Sequence, residues 1–160
     1  MKTVSMADQS VYKIIFGFKA NLARLGRNLN AFFSIWGVSF NSFSILTYLY
    51  GRPDGATVTE MEDALLIARQ TMIVILDGLE RKDVVKSYPH PYSRGPLVIR
   101  LTDAGRKKVR ILQKETHNAV KAMRTTMQKK EMRELIDLTQ KLVDFWERTA
   151  TSYDGTITPF

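Results

Sequence analysis

Cysteine is absent from the 160 residues. That excludes a disulfide framework, thiolate ligation of zinc or an iron–sulfur cluster, a cysteine nucleophile and a thiol redox sensor. Histidine is nearly absent too. His90 and His117 stand in different elements and make a poor metal site without cysteines. No Ser-His-Asp order, His-Glu-x-x-His motif or glycine-rich phosphate loop occurs. Neither an enzyme nor a bound cofactor or metal is expected. No continuous apolar run exceeds five residues, Met72–Leu76 being one, against roughly 20 for a membrane span. Met1–Asp8 contains no apolar stretch of the kind that begins a secretory signal. A soluble, cytoplasmic protein without a membrane partner is therefore expected. Internal repeats and low-complexity segments are missing as well. The length and the 44% apolar share fit one domain, most domains running to about 100–150 residues.

Negative charge is the other scarce quantity, with 16 Asp+Glu against 24 Lys+Arg for a net +8. The excess is local. Residues 1–80 hold seven bases and seven acids, and residues 111–160 are at +1. Between residues 81 and 110 nine bases (Arg81, Lys82, Lys86, Arg94, Arg100, Arg106, Lys107, Lys108, Arg110) face only Asp83 and Asp103, a net +7. A charge run is most often a solvated face. This one coincides with a definite local architecture, which turns the reading towards a polyanionic partner.

The periodicity predicts that architecture. Val11, Ile14, Ile15, Phe18, Leu22, Leu25, Leu29, Phe32 and Phe33 fall three and four apart, one face of a helix of about 23 residues. A second amphipathic helix is expected from Phe40 to Tyr50, stopped by Gly51-Arg-Pro-Asp-Gly55. Thr59-x-x-Glu62 reads as a capping box opening a short helix, about Glu60 to Leu66. Another follows from about Arg69 to Lys82 with Met72, Leu76 and Leu79 inward, completing a helix-turn-helix. Val84–Tyr88 and Leu97–Leu101 are β-branched runs around Pro89-His-Pro-Tyr-Ser-Arg-Gly-Pro96, a hairpin with a stiff tip. Thr102 is positioned to cap a long helix whose stripe runs from Val109 to Met127. A last helix is expected from about Lys129 to Thr149. The fold class is mainly α with a small β wing, a winged helix-turn-helix flanked by long helices.

In a helix-turn-helix the N-terminal part of the second helix enters the major groove. Arg69, Gln70, Ile73 and Val74 should lie on or near its outward face. Arginine can pair with guanine O6/N7, glutamine with adenine N6/N7, and Ile or Val can touch a thymine methyl. Thr71, in the first turn, suits a phosphate at the helix N-terminus. Lys86 and Arg100 on the wing strands would face phosphates, and Arg94 at the tip would reach a narrow minor groove. Arg106, Lys107, Lys108 and Arg110 either join them or simply solvate a helix. Plain exposed helix residues are the competing reading for the whole set.

The chain resembles the MarR family of bacterial transcriptional regulators. Arg69-Gln-Thr-Met-Ile-Val-Ile-Leu-Asp-Gly-Leu-Glu-Arg-Lys-Asp-Val-Val85, the wing, and Leu97-Val-Ile-Arg-Leu-Thr-Asp-Ala-Gly-Arg106 carry the likeness. Leu79-Glu80 and Leu101-Thr102-x-x-Gly105 match the family's "Leu-Glu-x-x-Gly" and "Leu-Thr-x-x-Gly" at the right separation, and the likeness extends over about residues 10–150. The departures are local. Asp83 replaces the glycine of the first motif, Leu66 sits in the helix-turn-helix turn where glycine is common, and Val74 takes a place that is often basic or polar. The family's wing pattern Asp-x-Arg reads Ser93-Arg94-Gly95, with Ser93 and Arg94 as the corresponding DNA contacts.

The resemblance implies a single domain over 1–160, with a winged helix-turn-helix at about 38–106 and dimerisation helices at about 10–34 and 107–150. It implies a homodimer that binds double-stranded DNA sequence-specifically at a pseudo-palindromic operator, acting as a ligand-responsive repressor. A small aromatic or lipophilic effector is the further partner so implied, with Phe33, Trp36, Phe40 and Tyr48 as its candidate pocket; ordinary core packing of these aromatics is the competing reading. The alternative function is a MarR-like dimeric protein-interaction or non-specific DNA-binding module with degenerate base readout.

Overall fold

The computed structural model describes residues 6–89 and 96–152, with side chains from 12 to 89 and from 96 to 150. The order is α1 (Met6–Ser34), α2 (Phe40–Tyr50), β1 (Ala56–Thr57), α3 (Val58–Leu65), α4 (Arg69–Arg81), β2 (Val85–Tyr88), β3 (Val98–Leu101), α5 (Asp103–Met123) and α6 (Lys129–Ser152). The chain divides into two compact units, one ending at Gln113 and one beginning at Lys114.

In the first unit α1 starts earlier than its apolar stripe suggests and covers 29 residues. It stops at Gly37, whose φ of +69° is a conformation that glycine adopts without penalty. There Val38 N–H bonds back to Phe33 O and Gly37 N–H to Ser34 O, a Schellman closure. Ser39 then caps α2, its hydroxyl accepting from Ser42 N–H at 3.0 Å. Ile45, Leu46 and Leu49 of α2 are fully buried with Met61 of α3 and Met72 of α4.

The start of α3 corrects the expected capping box. The box is built by Thr57 and Glu60: Glu60 N–H donates to Thr57 Oγ1 at 3.2 Å, and Thr57 N–H donates to Glu60 Oε2 at 2.7 Å. Thr57 is also the last residue of β1, a strand not expected from the sequence pattern, and Ala56 and Thr57 pair with Ile99 and Val98. That pairing fixes where the helix can begin, two residues ahead of Thr59. The sheet is therefore three-stranded and antiparallel, in the order β1-β3-β2. Two residues are too few to show an alternating pattern, so β1 leaves almost no trace in the sequence.

Among the described residues two non-glycine positions hold positive φ, Leu66 at 52° and Asp83 at 55°. They are the two expected departures from glycine, and they bracket α4. At Asp83 the chain makes a second Schellman closure, Val84 N–H to Leu79 O and Asp83 N–H to Glu80 O. Thr102 Oγ1 donates to Asp83 O at 2.6 Å and accepts Gly105 N–H at 3.0 Å, so it caps α5 while tying it to the turn after α4. A Cβ on Gly105 would be driven into the Val84 carbonyl. These contacts give the Leu101-Thr-Asp-Ala-Gly105 run its physical meaning: a buried anchor, a bridging cap, and a place where helix and strand backbones touch.

In the second unit α6 opens with Glu131 reaching back to Gln128 N–H at 2.7 Å. Its Leu135, Ile136, Leu138, Leu142, Val143, Phe145 and Trp146 are all exposed. Met127, expected within the preceding helix, follows its last turn. Among the described residues no helix is long and apolar enough to cross a membrane.

Candidate nucleic-acid interface

Helix α4 is held by one face. Met72, Leu76 and Leu79 are buried, and the turn of about 100° per residue sends Gln70, Val74, Asp77 and Arg81 to the opposite side, with Ile73 beside them. Arg69, Gln70, Thr71, Ile73 and Val74 are all exposed. Ala68 provides no side-chain cap, so the first-turn N–H groups of α4 keep their donor capacity beside Thr71.

Arg69 is not free. Its Nη1 lies 3.3 Å from Glu62 Oε2 and 3.4 Å from Thr59 Oγ1. The pair Thr59 and Glu62, expected to cap α3, thus holds the arginine at the start of α4 instead. The structural signal was in the sequence only as an acid seven residues ahead of a base, across a turn whose geometry is needed to bring them together.

On the wing Lys86 stands directly opposite Arg100 in the β2–β3 register, so both point to one face of the sheet. Lys86 is exposed. Arg100 Nε donates to Asp54 O at 2.9 Å, and its guanidinium lies 5.3 Å from the Tyr88 ring centre. Ser93 and Arg94 lie outside the described residues. Arg110, near the start of α5, donates to Tyr50 Oη at 3.4 Å.

The sequence alone gave no sign of what joins the wing to α4. Ser87 N–H, on the outer edge of β2, donates to Glu80 Oε1 at 2.9 Å, and Ser87 Oγ lies 3.3 Å from Oε2. Beside this clamp an open cleft of about 320 Å³ runs between α4 and the sheet, lined by Ile73, Asp77, Glu80, Ser87 and Leu97. On the other side of α4 a cleft of about 510 Å³ is lined by Asn30, Ser34, Ser42, Val74, Gly78 and Lys82. Lys82 Nζ crosses there to Gly37 O at 3.2 Å.

None of the four aromatics named for an effector lines either cleft. Phe33 is 2% exposed and stacks on Phe43 at 4.4 Å, with Phe40 at 5.8 Å. Trp36 packs edge-on to Phe32 at 5.0 Å. Tyr48 carries the Arg52 guanidinium over its ring at 3.6 Å and donates to Glu60 O. Phe33 and Phe40 meet in packing, and Tyr48 is engaged elsewhere.

A helix-turn-helix followed by an antiparallel hairpin, with the second helix exposed on its outer side, defines the winged helix-turn-helix class. Residues 36–94 match the model of the MarR family. Solved structures agree on the fold. A MarR family transcription regulator superposes with a TM-score of 0.76 at 18% identity, covering 91% of this chain and 95% of the other. The repressor CouR bound to a 23-mer DNA duplex gives 0.73 at 20% identity, covering 89% and 99%. Staphylococcus aureus MepR in complex with DNA gives 0.70 at 19% identity, covering 81% and 95%. A comparison with curated protein sequences returns no match.

Proposed function

We propose that this chain is a DNA-binding transcriptional regulator that acts as a homodimer, with α4 in the major groove and the wing on the flanking backbone. The observation that carries the reading is α4 itself, packed through one face and open along the other, next to a segment of net +7. CouR and MepR, similar in fold, are structures with DNA bound. Lys86 and the uncapped start of α4 with Thr71 supply phosphate contacts, and Arg94 is assigned to the wing tip. Gln70, Ile73 and Val74 face the bases, with Arg69 at their edge.

Dimerisation is supported separately by two apolar faces that lack a partner among the described residues. On α1, Ile14, Leu22 and Leu25 are 50–70% exposed, and on α6 Leu135, Ile136, Phe145 and Trp146 are 49–66% exposed. Soluble chains rarely leave such stripes to water. A two-fold pair of recognition helices reads half-sites about 10 bp apart, centre to centre. Repression and response to a small aromatic or lipophilic acid complete the proposal by analogy with the family. An effector would act by binding one spacing of the two helices better than the other.

Binding titrations over a range of salt test the core of this reading. With about five phosphates neutralised per protomer, log K should fall steeply and linearly with log salt. A flat dependence would end the DNA assignment. One observation favours the second reading, a non-specific or protein-interaction module: Arg69, the only base in the first turn of α4, is already engaged by Glu62. Equal affinity for unrelated duplexes would select that module.

A further inference from the structure

The outward face of α4 has an unusual composition for a surface that meets a polyanion. Between Arg69 and Arg81 the helix contains no base, and it carries Asp77 on the outward side. Arg69 is drawn sideways towards α3 by Glu62 and Thr59. What remains at the centre is Gln70 and two adjacent β-branched residues, Val74 at 69% exposure and Ile73 at 44%. Neither belongs to the buried core, and both border open clefts on the flanks of the helix.

Each base pair offers a different edge in the major groove. Guanine presents two acceptors that call for a cation, adenine an acceptor and a donor that suit an amide, and thymine alone adds an apolar C5-methyl. A valine and an isoleucine have no hydrogen bond to give, so they complement only the methyl. Asp77 disfavours guanine acceptors beside it for the same electrostatic reason that it would favour the cytosine amine.

Resting on the DNA-binding reading above, we propose that this protein selects its half-site through pyrimidine 5-methyl groups held against Val74 and Ile73, with Gln70 pairing to a neighbouring adenine. Thymines are the natural bearers of that group, and 5-methylcytosine presents the same atom at the same place. The site is read by methyl contact where a guanidinium would otherwise read guanine.

The test uses the full chain and duplexes obtained by selection from random sequence. Each half-site thymine is replaced in turn by deoxyuridine, which lacks only the methyl. At one or two positions per half-site the affinity should drop about four-fold, the ratio equivalent to about 0.8 kcal/mol for one buried methyl. Restoring the methyl as 5-methylcytosine opposite guanine should bind better than unmethylated cytosine there. In Val74→Ala and Ile73→Ala, both at exposed helix positions, the thymine and deoxyuridine duplexes should become equivalent at the matching positions. Equal binding of thymine and fully deoxyuridine-substituted sites by the unaltered protein overturns the inference while leaving DNA binding intact. Failure of selection to enrich any sequence also overturns it. Absence of salt-dependent binding to every duplex removes the DNA reading as well, so the two failures are distinct.

Discussion

Helices α4 and α6 are both amphipathic, yet the first buries its apolar stripe and the second leaves its own in water. Met72, Leu76 and Leu79 are 0–6% exposed, whereas Leu142, Ile136 and Trp146 are 44–66% exposed. The difference lies in where the complement comes from. Within the first unit α2, α3 and the sheet supply the opposite surface for α4, and α1 contributes Phe33 to the same core. Among the described residues of its own unit, nothing buries the stripe of α6. A periodic pattern shows that a face is to be buried; it does not show against which chain.

The largest effect expected is on that contrast. Met72→Ala should destabilise the first unit by about 3 kcal/mol through lost burial and a residual cavity, independently of protein concentration. Ile136→Ala should leave concentrated protein almost as stable. If the proposed dimer forms through this stripe, the variant should associate more weakly, so that light scattering or sedimentation reports a smaller mass than for the unaltered chain at the same concentration. If Ile136→Ala changes neither mass nor the concentration dependence of melting, the stripe on α6 has no partner of this kind and the comparison fails.

Leu66 looks like another exposed apolar residue, at 90% exposure, but its origin is different. It closes the turn between α3 and α4 with φ 52° and ψ 37°, where its N–H bonds to Glu62 O at 3.0 Å. A side chain with a Cβ costs about 1 kcal/mol or more in that conformation. Leu66→Gly should therefore raise the stability of the first unit, by up to about 1 kcal/mol in denaturant unfolding, less the extra chain entropy of glycine. Removing an apolar side chain from α6 should bring no such gain. A loss of stability at Leu66→Gly would mean that its side chain packs against something that the single chain does not reveal.

Legibility followed the same division. The helices were readable because three- and four-residue spacing survives in any environment, and Asp83 and Leu66 stood out as departures from expected glycines. The capping box was misplaced by two residues because Thr57 and Thr59 each have a glutamate three residues on, and only the pairing of β1 with β3 chooses between them. The recognition face was visible as a set of exposed positions. The Glu62–Arg69 pair and the Glu80–Ser87 clamp were not, since each joins residues seven apart across a turn. The aromatic pocket is implied by the family resemblance, with core packing as its rival, and helical spacing cannot tell a stacked Phe33 from a lining one.

The polar faces of the two helices sharpen the comparison at its smallest scale. Each carries an exposed ion pair: Arg69–Glu62 at 3.3 Å beside α4, and Lys130–Glu134 at 3.7 Å within α6. Solvent screening makes such pairs worth under about 1 kcal/mol to stability, so Glu62→Gln and Glu134→Gln should both melt close to the unaltered protein. Their effects on DNA should differ. Glu62 holds the single base at the start of α4 and adds a negative charge where phosphates are expected. Its neutral variant should bind duplex DNA a few-fold more tightly, with a salt slope steeper by up to about one counterion per protomer as Arg69 is released. Glu134→Gln should leave affinity and slope unchanged. If the two variants behave alike, Glu62 does not restrain Arg69 towards DNA, and the ion pair beside the recognition helix is as indifferent to the ligand as the one on α6.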